Sequence, residues 1–164
     1  EVFNQMAGSY LALLGYANLT GDPKHLLWAE ERRDDLLKLH KDGGELSEYG
    51  GFDAGYQSIS LSSLVSALEF TEHDTELKDL INMGKSRVYE WLTPALGRAF
   101  EANSRNTQYI YPFSFSKDTG VAADHLRSEI IEGSFLRPTW MDDRYCTALA
   151  TDFFRTGLSM DLEI

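Results

Sequence analysis

Not one side chain between Val2 and Gly21 is charged, and the same holds from Ala54 to Leu68. The stretches that follow them, about 23–41 and 75–93, are dense in charge. Such alternation leaves few folds open: the uncharged segments need cover, and the charged ones can turn one side to water. In the first segment Phe3, Met6, Ala7, Tyr10, Leu14 and Ala17 share one helical face. Leu11 and Leu13 lie off that face, so cover on more than one side is expected. Leu61, Leu64, Val65 and Leu68 repeat the helical spacing in the third segment, about 54–72.

The second segment carries Glu30, Glu31, Arg32, Arg33, Asp34, Asp35, Lys38 and Lys41 and reads as an exterior amphipathic helix. The fourth sets Leu77, Leu80, Ile81, Val88, Trp91 and Leu92 against Lys78, Asp79, Lys85, Arg87 and Glu90. Asp22 before Pro23, and Asp74, are expected helix caps, and Asp42-Gly43-Gly44 stops the second helix. The expected class is all-α, built of antiparallel helical hairpins with long irregular loops. Leu11–Asp22 and Leu61–Asp74 each read as a Leu-rich inner helix, a Thr, a capping Asp and an outer helix, about fifty residues apart. That fits a helical array or a ring of hairpins, or an ordinary bundle whose two hairpins look alike.

After Thr93 the pattern breaks. Residues 94–118 hold Pro94, Pro112 and the run Thr107–Phe115, either a short strand or a packed extended loop. Helices are expected over 121–131 and 141–158, with a loop between them. The net charge of −11 argues against a nucleic-acid partner and against attraction to an anionic membrane. The longest apolar run, near Tyr10–Ala17, is too short to span a bilayer. Cys146 is the lone cysteine, so no intrachain disulfide forms, as a reducing compartment allows. The 164 residues suit one helical domain, and a first residue other than Met points to processing or trimming.

Three stretches could carry chemistry. Glu48-Tyr49-Gly50-Gly51-Phe52-Asp53-Ala54-Gly55-Tyr56-Gln57-Ser58 packs carboxylates, tyrosines and an amide at the mouth of an uncharged helix. Such groups hold sugar rings; a capped turn with a buried tyrosine needs the same residues. Arg105, Asn106, Tyr109 and Tyr111 lie close in sequence. There an Arg can neutralise a carboxylate and a Tyr can move a proton if its pKa is lowered. Arg137, Asp142, Asp143 and Arg144 form the third stretch. The acid pair suits a helix start, and no spacing supplies a metal site. The arginines of 98–144 could bind an anion or pair with neighbouring acids. Of the scattered histidines only His125 falls in the irregular region, as a general base or acid or as a packed side chain. No P-loop, dinucleotide fingerprint or GxSxG occurs, and no cofactor is expected.

The inner–outer succession, Leu19-Thr20-Gly21-Asp22-Pro23, and Asp42-Gly43-Gly44 leading to Glu48–Gln57 resemble the (α/α) toroid proteins. Among these are polysaccharide lyases of the alginate and heparinase type, unsaturated glucuronyl hydrolases and proteins of bacterial polysaccharide loci. The resemblance covers about 2–93. It implies a carbohydrate-active domain that binds or cleaves a uronate-containing saccharide. Arg105 and Asn106 would neutralise the uronate while Tyr109 or His125 moves protons. Glu48, Asp53, Tyr56, Gln57, Tyr111, Arg137 and Arg144 would bind substrate. A full ring needs more hairpins than this chain supplies, which implies part of a larger toroid or a homo-oligomer. The alternative is a non-catalytic helical interaction module that packs through the uncharged faces.

Overall fold

The computed structural model describes residues 2–40, 43–46, 48, 51–71, 73–92, 109–132 and 143–160. The described residues are all-α: α1 (Phe3–Thr20), α2 (Pro23–Leu39), α3 (Ala54–Ala67), α4 (Thr75–Leu92), α5 (Val121–Ile131) and α6 (Asp143–Ser159). A 3-10 turn at Phe113–Phe115 stands before α5, and isolated bridges join His40 to Leu46 and Glu48 to Gly51. The described part of the irregular run, 109–118, therefore forms extended backbone and turn rather than a strand.

The two inner helices end alike. The Thr20 hydroxyl donates to the Tyr16 carbonyl at 2.8 Å, and the Thr71 hydroxyl donates to the Ala67 carbonyl at 3.1 Å. Each Thr precedes a capping carboxylate: Asp22 accepts from the Lys24 N–H and Asp74 from the Leu77 N–H. The third helix is expected to reach residue 72 and stops at Ala67. Bonds of i→i+3 type from the Glu69 and Phe70 N–H groups tighten its last turn. Pro23 opens α2, and Gly21 takes the left-handed conformation (φ 70°) that closes α1.

α1 packs on α2 and α3; α3 packs on α4 and on the 113–115 turn. α2 also touches α4, α4 touches α5, and α6 rests on the turn. α3 is covered over most of its circumference, with Ala54, Gly55, Gln57, Ser58, Ser60, Leu61, Ser62, Leu64, Ser66 and Ala67 all buried. α1 is covered on more than one side: its fully buried positions hold the face of Phe3, Tyr10 and Leu14, Leu11 and Leu13 pack half-buried against the core, and its end, where Leu19 is 81% exposed, stands clear. α2 buries only Ala29 and Leu36, as an outer helix does. The core joins Phe3 and Tyr10 to Leu36, Leu61, Leu64, Leu77, Leu80, Val88, Trp91, Ile110 and Phe115.

Two glycines allow close approach. A Cβ on Gly84 would lie 2.9 Å from Leu61 Cδ2, so the glycine lets α4 settle on α3. Gly44 has φ 81°, and a Cβ there would meet the Met83 carbonyl oxygen. We expect Gly44→Ala to lower stability by about 2–3 kcal/mol through backbone strain and collision. Gly15→Ala, in a helix interior with open space around it, should raise stability by about 0.5–1 kcal/mol. Urea unfolding of both variants against the parent checks the pair; equal effects at the two sites would contradict the placement of Gly44 against α4.

Candidate functional site

A buried helix that carries hydroxyls has to find partners for them, and α3 uses its own to hold the neighbouring chain. Ser58, Ser62 and Ser66 stand four residues apart on one side. Ser58 Oγ accepts the Tyr111 N–H at 2.9 Å. Ser62 Oγ donates to Asp152 Oδ1, and Asp152 Oδ2 accepts the Phe113 N–H at 2.9 Å. Ser66 Oγ accepts from Arg155 at 2.7 Å, and the Arg155 guanidinium lies 3.7 Å from the Phe113 ring centre. Ser116 and Ser159 join their hydroxyls at 3.0 Å. Residues 111–116 are thereby fastened to α3 on one side and to α6 on the other. Burial pushes the Asp152 carboxyl above the ordinary carboxylate range, opposed by its bonds from Ser62 and Phe113 and by nearby Arg155.

The fastened turn forms one wall of a cleft of about 460 Å³. α3 contributes Val65 to the cleft, the residues after it Leu68 and Glu69, α4 Lys78, Ile81, Asn82 and Lys85, and the turn Phe113, Ser114, Ser116 and Lys117. Lys85 Nζ lies 2.8 Å from Asp118 Oδ1, and the Tyr89 hydroxyl donates to Asp118 Oδ2 at 2.9 Å. Burial, then the adjacent Asp118 carboxylate, holds the Tyr89 phenol above the usual tyrosine range, so it serves as a donor. Ser114 is 3% exposed, and its hydroxyl has no hydrogen-bond partner among the described residues. The cleft thus presents lysine side chains and the Asn82 amide over an apolar floor of Val65, Leu68, Ile81 and Phe113.

A second cleft, of about 430 Å³, lies between α1, α2 and the start of α4. Its charged lining is Glu30, Arg33, Asp34 and Asp74. Arg33 forks onto Asp74 and reaches Glu76 at 2.7 Å, which ties α2 to α4. That contact holds the Asp74 carboxyl below the ordinary range. Among the described residues no three His, Cys, Asp or Glu side chains stand together as metal ligands. No described helix is long and apolar enough to cross a membrane.

None of the described site residues singled out from the sequence lines either cleft. Glu48 is wholly buried, and its Oε1 accepts the Asn4 N–H at 2.7 Å, so this carboxylate caps α1 from a distant part of the chain. Gln57, also wholly buried, donates to the Gly44 and Gly84 carbonyls at 2.9 and 2.8 Å and accepts from the Leu46 N–H. It staples the 43–46 loop to α3 and α4. Asp53 accepts the Tyr56 N–H at 3.1 Å and caps α3, while Tyr56 sits half-buried in that first turn. Tyr109 is half-buried and its ring stands 6.0 Å from that of buried Tyr111. His125 faces Glu129 along α5 at 3.4 Å. Arg105, Asn106 and Arg137 lie outside the described residues, and Arg144 falls in the first turn of α6 with its side chain outside them.

The serine stripe and the cleft lysines were not among the sequence candidates. The stripe had a readable signal, three serines at i, i+4 and i+8 on an uncharged helix. Lys85 read as part of a solvated face, yet its side chain is only 16% exposed because the 113–118 segment folds over it. Compared with protein-family models, with curated proteins and with solved structures, the chain matches none of them.

Asp152→Ala should cost about 2–3 kcal/mol, since it strands the Phe113 N–H and the Ser62 hydroxyl. Asp152→Asn keeps an acceptor and should cost less. With the folded carboxyl raised above its unfolded value, the folded state holds this proton more tightly. The Asp152 contribution is therefore most favourable below the ordinary carboxylate value and is lost as pH rises through the raised one. Urea unfolding across that range should show the parent's stability falling, relative to Asp152→Asn, as pH increases; the opposite slope would contradict a desolvated Asp152.

Proposed function

We propose that the protein is a carbohydrate-active helical domain that holds an acidic, uronate-bearing saccharide in the cleft between α3, α4 and the 113–117 turn. One observation carries the reading. In a chain of net charge −11, the cleft lining carries Lys78, Lys85 and Lys117 with Glu69, and the adjacent Asp118 on Lys85 and Arg155 on Glu69 leave cations in the majority there. A polyanionic substrate repelled by the whole chain needs such a local surplus of positive charge. The apolar floor suits the C–H face of a sugar ring, and Asn82 offers its amide to the ring hydroxyls. The toroid resemblance would assign elimination at the uronate to Arg105 and Asn106, which neutralise its carboxylate, and to Tyr109 or His125, which move protons; Tyr109 and His125 stand outside the lining of this cleft, so the cleft is read as the saccharide-binding part of the site.

In the same reading the helices are hairpins of a partial (α/α) toroid. The matched Thr and Asp endings of α1 and α3, and the contacts of α1 with α3 and α2 with α4, support it. The remaining pairs of such a ring would come from another domain or a second copy. A second reading, a non-catalytic helical interaction module, is favoured by the exposed apolar side chains Leu19, Leu26, Leu27 and Trp28 near and on α2.

Ultraviolet absorbance during incubation with pectate, alginate and hyaluronan tests the first reading, alongside thermal melting with each. Elimination gives a rise that Tyr109→Phe abolishes. Binding gives stabilisation that Lys117→Ala weakens about fivefold in apparent affinity. Neither absorbance nor stabilisation with any of the three would sink the reading and leave the interaction module.

A further inference from the structure

Lys85 is a cleft cation that already holds an anion. Its ammonium sits on Asp118 Oδ1 at 2.8 Å, with side-chain exposures of only 16% and 23%. Asp118 is fixed by contacts that do not involve Lys85. Its Oδ2 accepts the Tyr89 hydroxyl, and its backbone carbonyl accepts from Arg127 at 3.3 Å. The carboxylate is thus presented to Lys85 by a segment tied to both α4 and α5. Phe115 adds to the setting: the Lys85 ammonium also lies 6.0 Å from the centre of its ring, so the cation is held among groups of the 113–118 segment.

We propose that Asp118 is a built-in competitor for the ligand's anionic group: it holds Lys85 until the ligand's anionic group takes its place on that ammonium. The inference rests on the acidic-saccharide reading of this cleft. A lysine is suited to the exchange because its ammonium is a point charge on a four-carbon stem, free to turn from one oxygen to another. The arrangement selects by charge. A neutral saccharide leaves the Lys85–Asp118 pair intact and gains nothing from Lys85. An anionic one must outbid a carboxylate already in place, which favours ligands bearing several charges close together. Glu69, the acid of the cleft lining itself, pairs with Arg155 at 3.2 Å, and Asp118, just beyond the lining, is the acid on Lys85.

Calorimetric titration with tetragalacturonate, and with cellotetraose as the neutral control, tests this on the parent, Asp118→Asn, Lys85→Ala and the double variant. Asparagine keeps an acceptor for Tyr89 and leaves the contact of the backbone carbonyl with Arg127 in place. Asp118→Asn should tighten tetragalacturonate binding about five- to tenfold, and the gain should vanish when Lys85 is also alanine. Equal or weaker binding by Asp118→Asn, with the parent still binding, overturns the competitor and leaves the saccharide reading standing. Absence of binding by both proteins overturns both. A measurement on the parent alone covers a variant that fails to fold: the carboxyl carbon resonance of Asp118 should move on saturation with tetragalacturonate, and an unmoved resonance overturns the proposal.

Discussion

α3 is buried over most of its circumference, with the Tyr56, Ile59 and Ser63 side half-buried, yet it carries Gln57, Ser58, Ser60, Ser62 and Ser66 into the interior. An unmade hydrogen bond in that setting costs about 1–3 kcal/mol, so each of these groups constrains what lies beside it. Ser60 answers locally, by donating to the carbonyl four residues back. Gln57, Ser58, Ser62 and Ser66 also reach outward, to Gly84, Tyr111, Asp152 and Arg155. The helix is therefore the hub to which α4, the 111–116 segment and α6 are fitted.

The cleft follows from that fitting. Asp152 holds Ser62 and the Phe113 N–H together, and Arg155 covers the Phe113 ring while it bonds Ser66. With residues 113–117 fixed in this way, Lys117 and Ser114 share a cavity with Lys78 and Lys85 of α4, far apart in sequence. Buried polar contacts of this kind specify one arrangement more sharply than apolar packing does, because a shifted register leaves donors stranded. The same logic holds at the other end of α3, where Gln57 accounts for both amide protons and its oxygen on three backbone groups.

Much of the helical frame was legible because it rests on local rules. The face of α1 read from Phe3, Met6, Ala7, Tyr10, Leu14 and Ala17 is the face that is buried, and the apolar positions read on α4 are buried as well. Asp22, Asp53 and Asp74 cap the helices they precede. Contacts across long sequence separations were not legible. Glu48 read as a sugar ligand, whereas it caps α1 some forty residues away, and no local pattern encodes that. Lys85 looked solvated because its spacing on α4 is that of an exposed face; the segment that covers it comes from a region without periodicity. The uncharged character of α3 hid the serines, since hydropathy records the absence of charge and not the presence of hydroxyls.

The central claim is that α3 and α6 pin the 111–116 segment through side-chain contacts to its backbone. Native-state hydrogen exchange of the Tyr111 and Phe113 amides addresses it directly, because their acceptors are Ser58 and Asp152 and not a regular ladder. The account predicts that both amides exchange nearly as slowly as the core amides of α3, and that Ser58→Ala releases Tyr111 first. Exchange of both at the rate of an open loop, with α3 still protected, would contradict it.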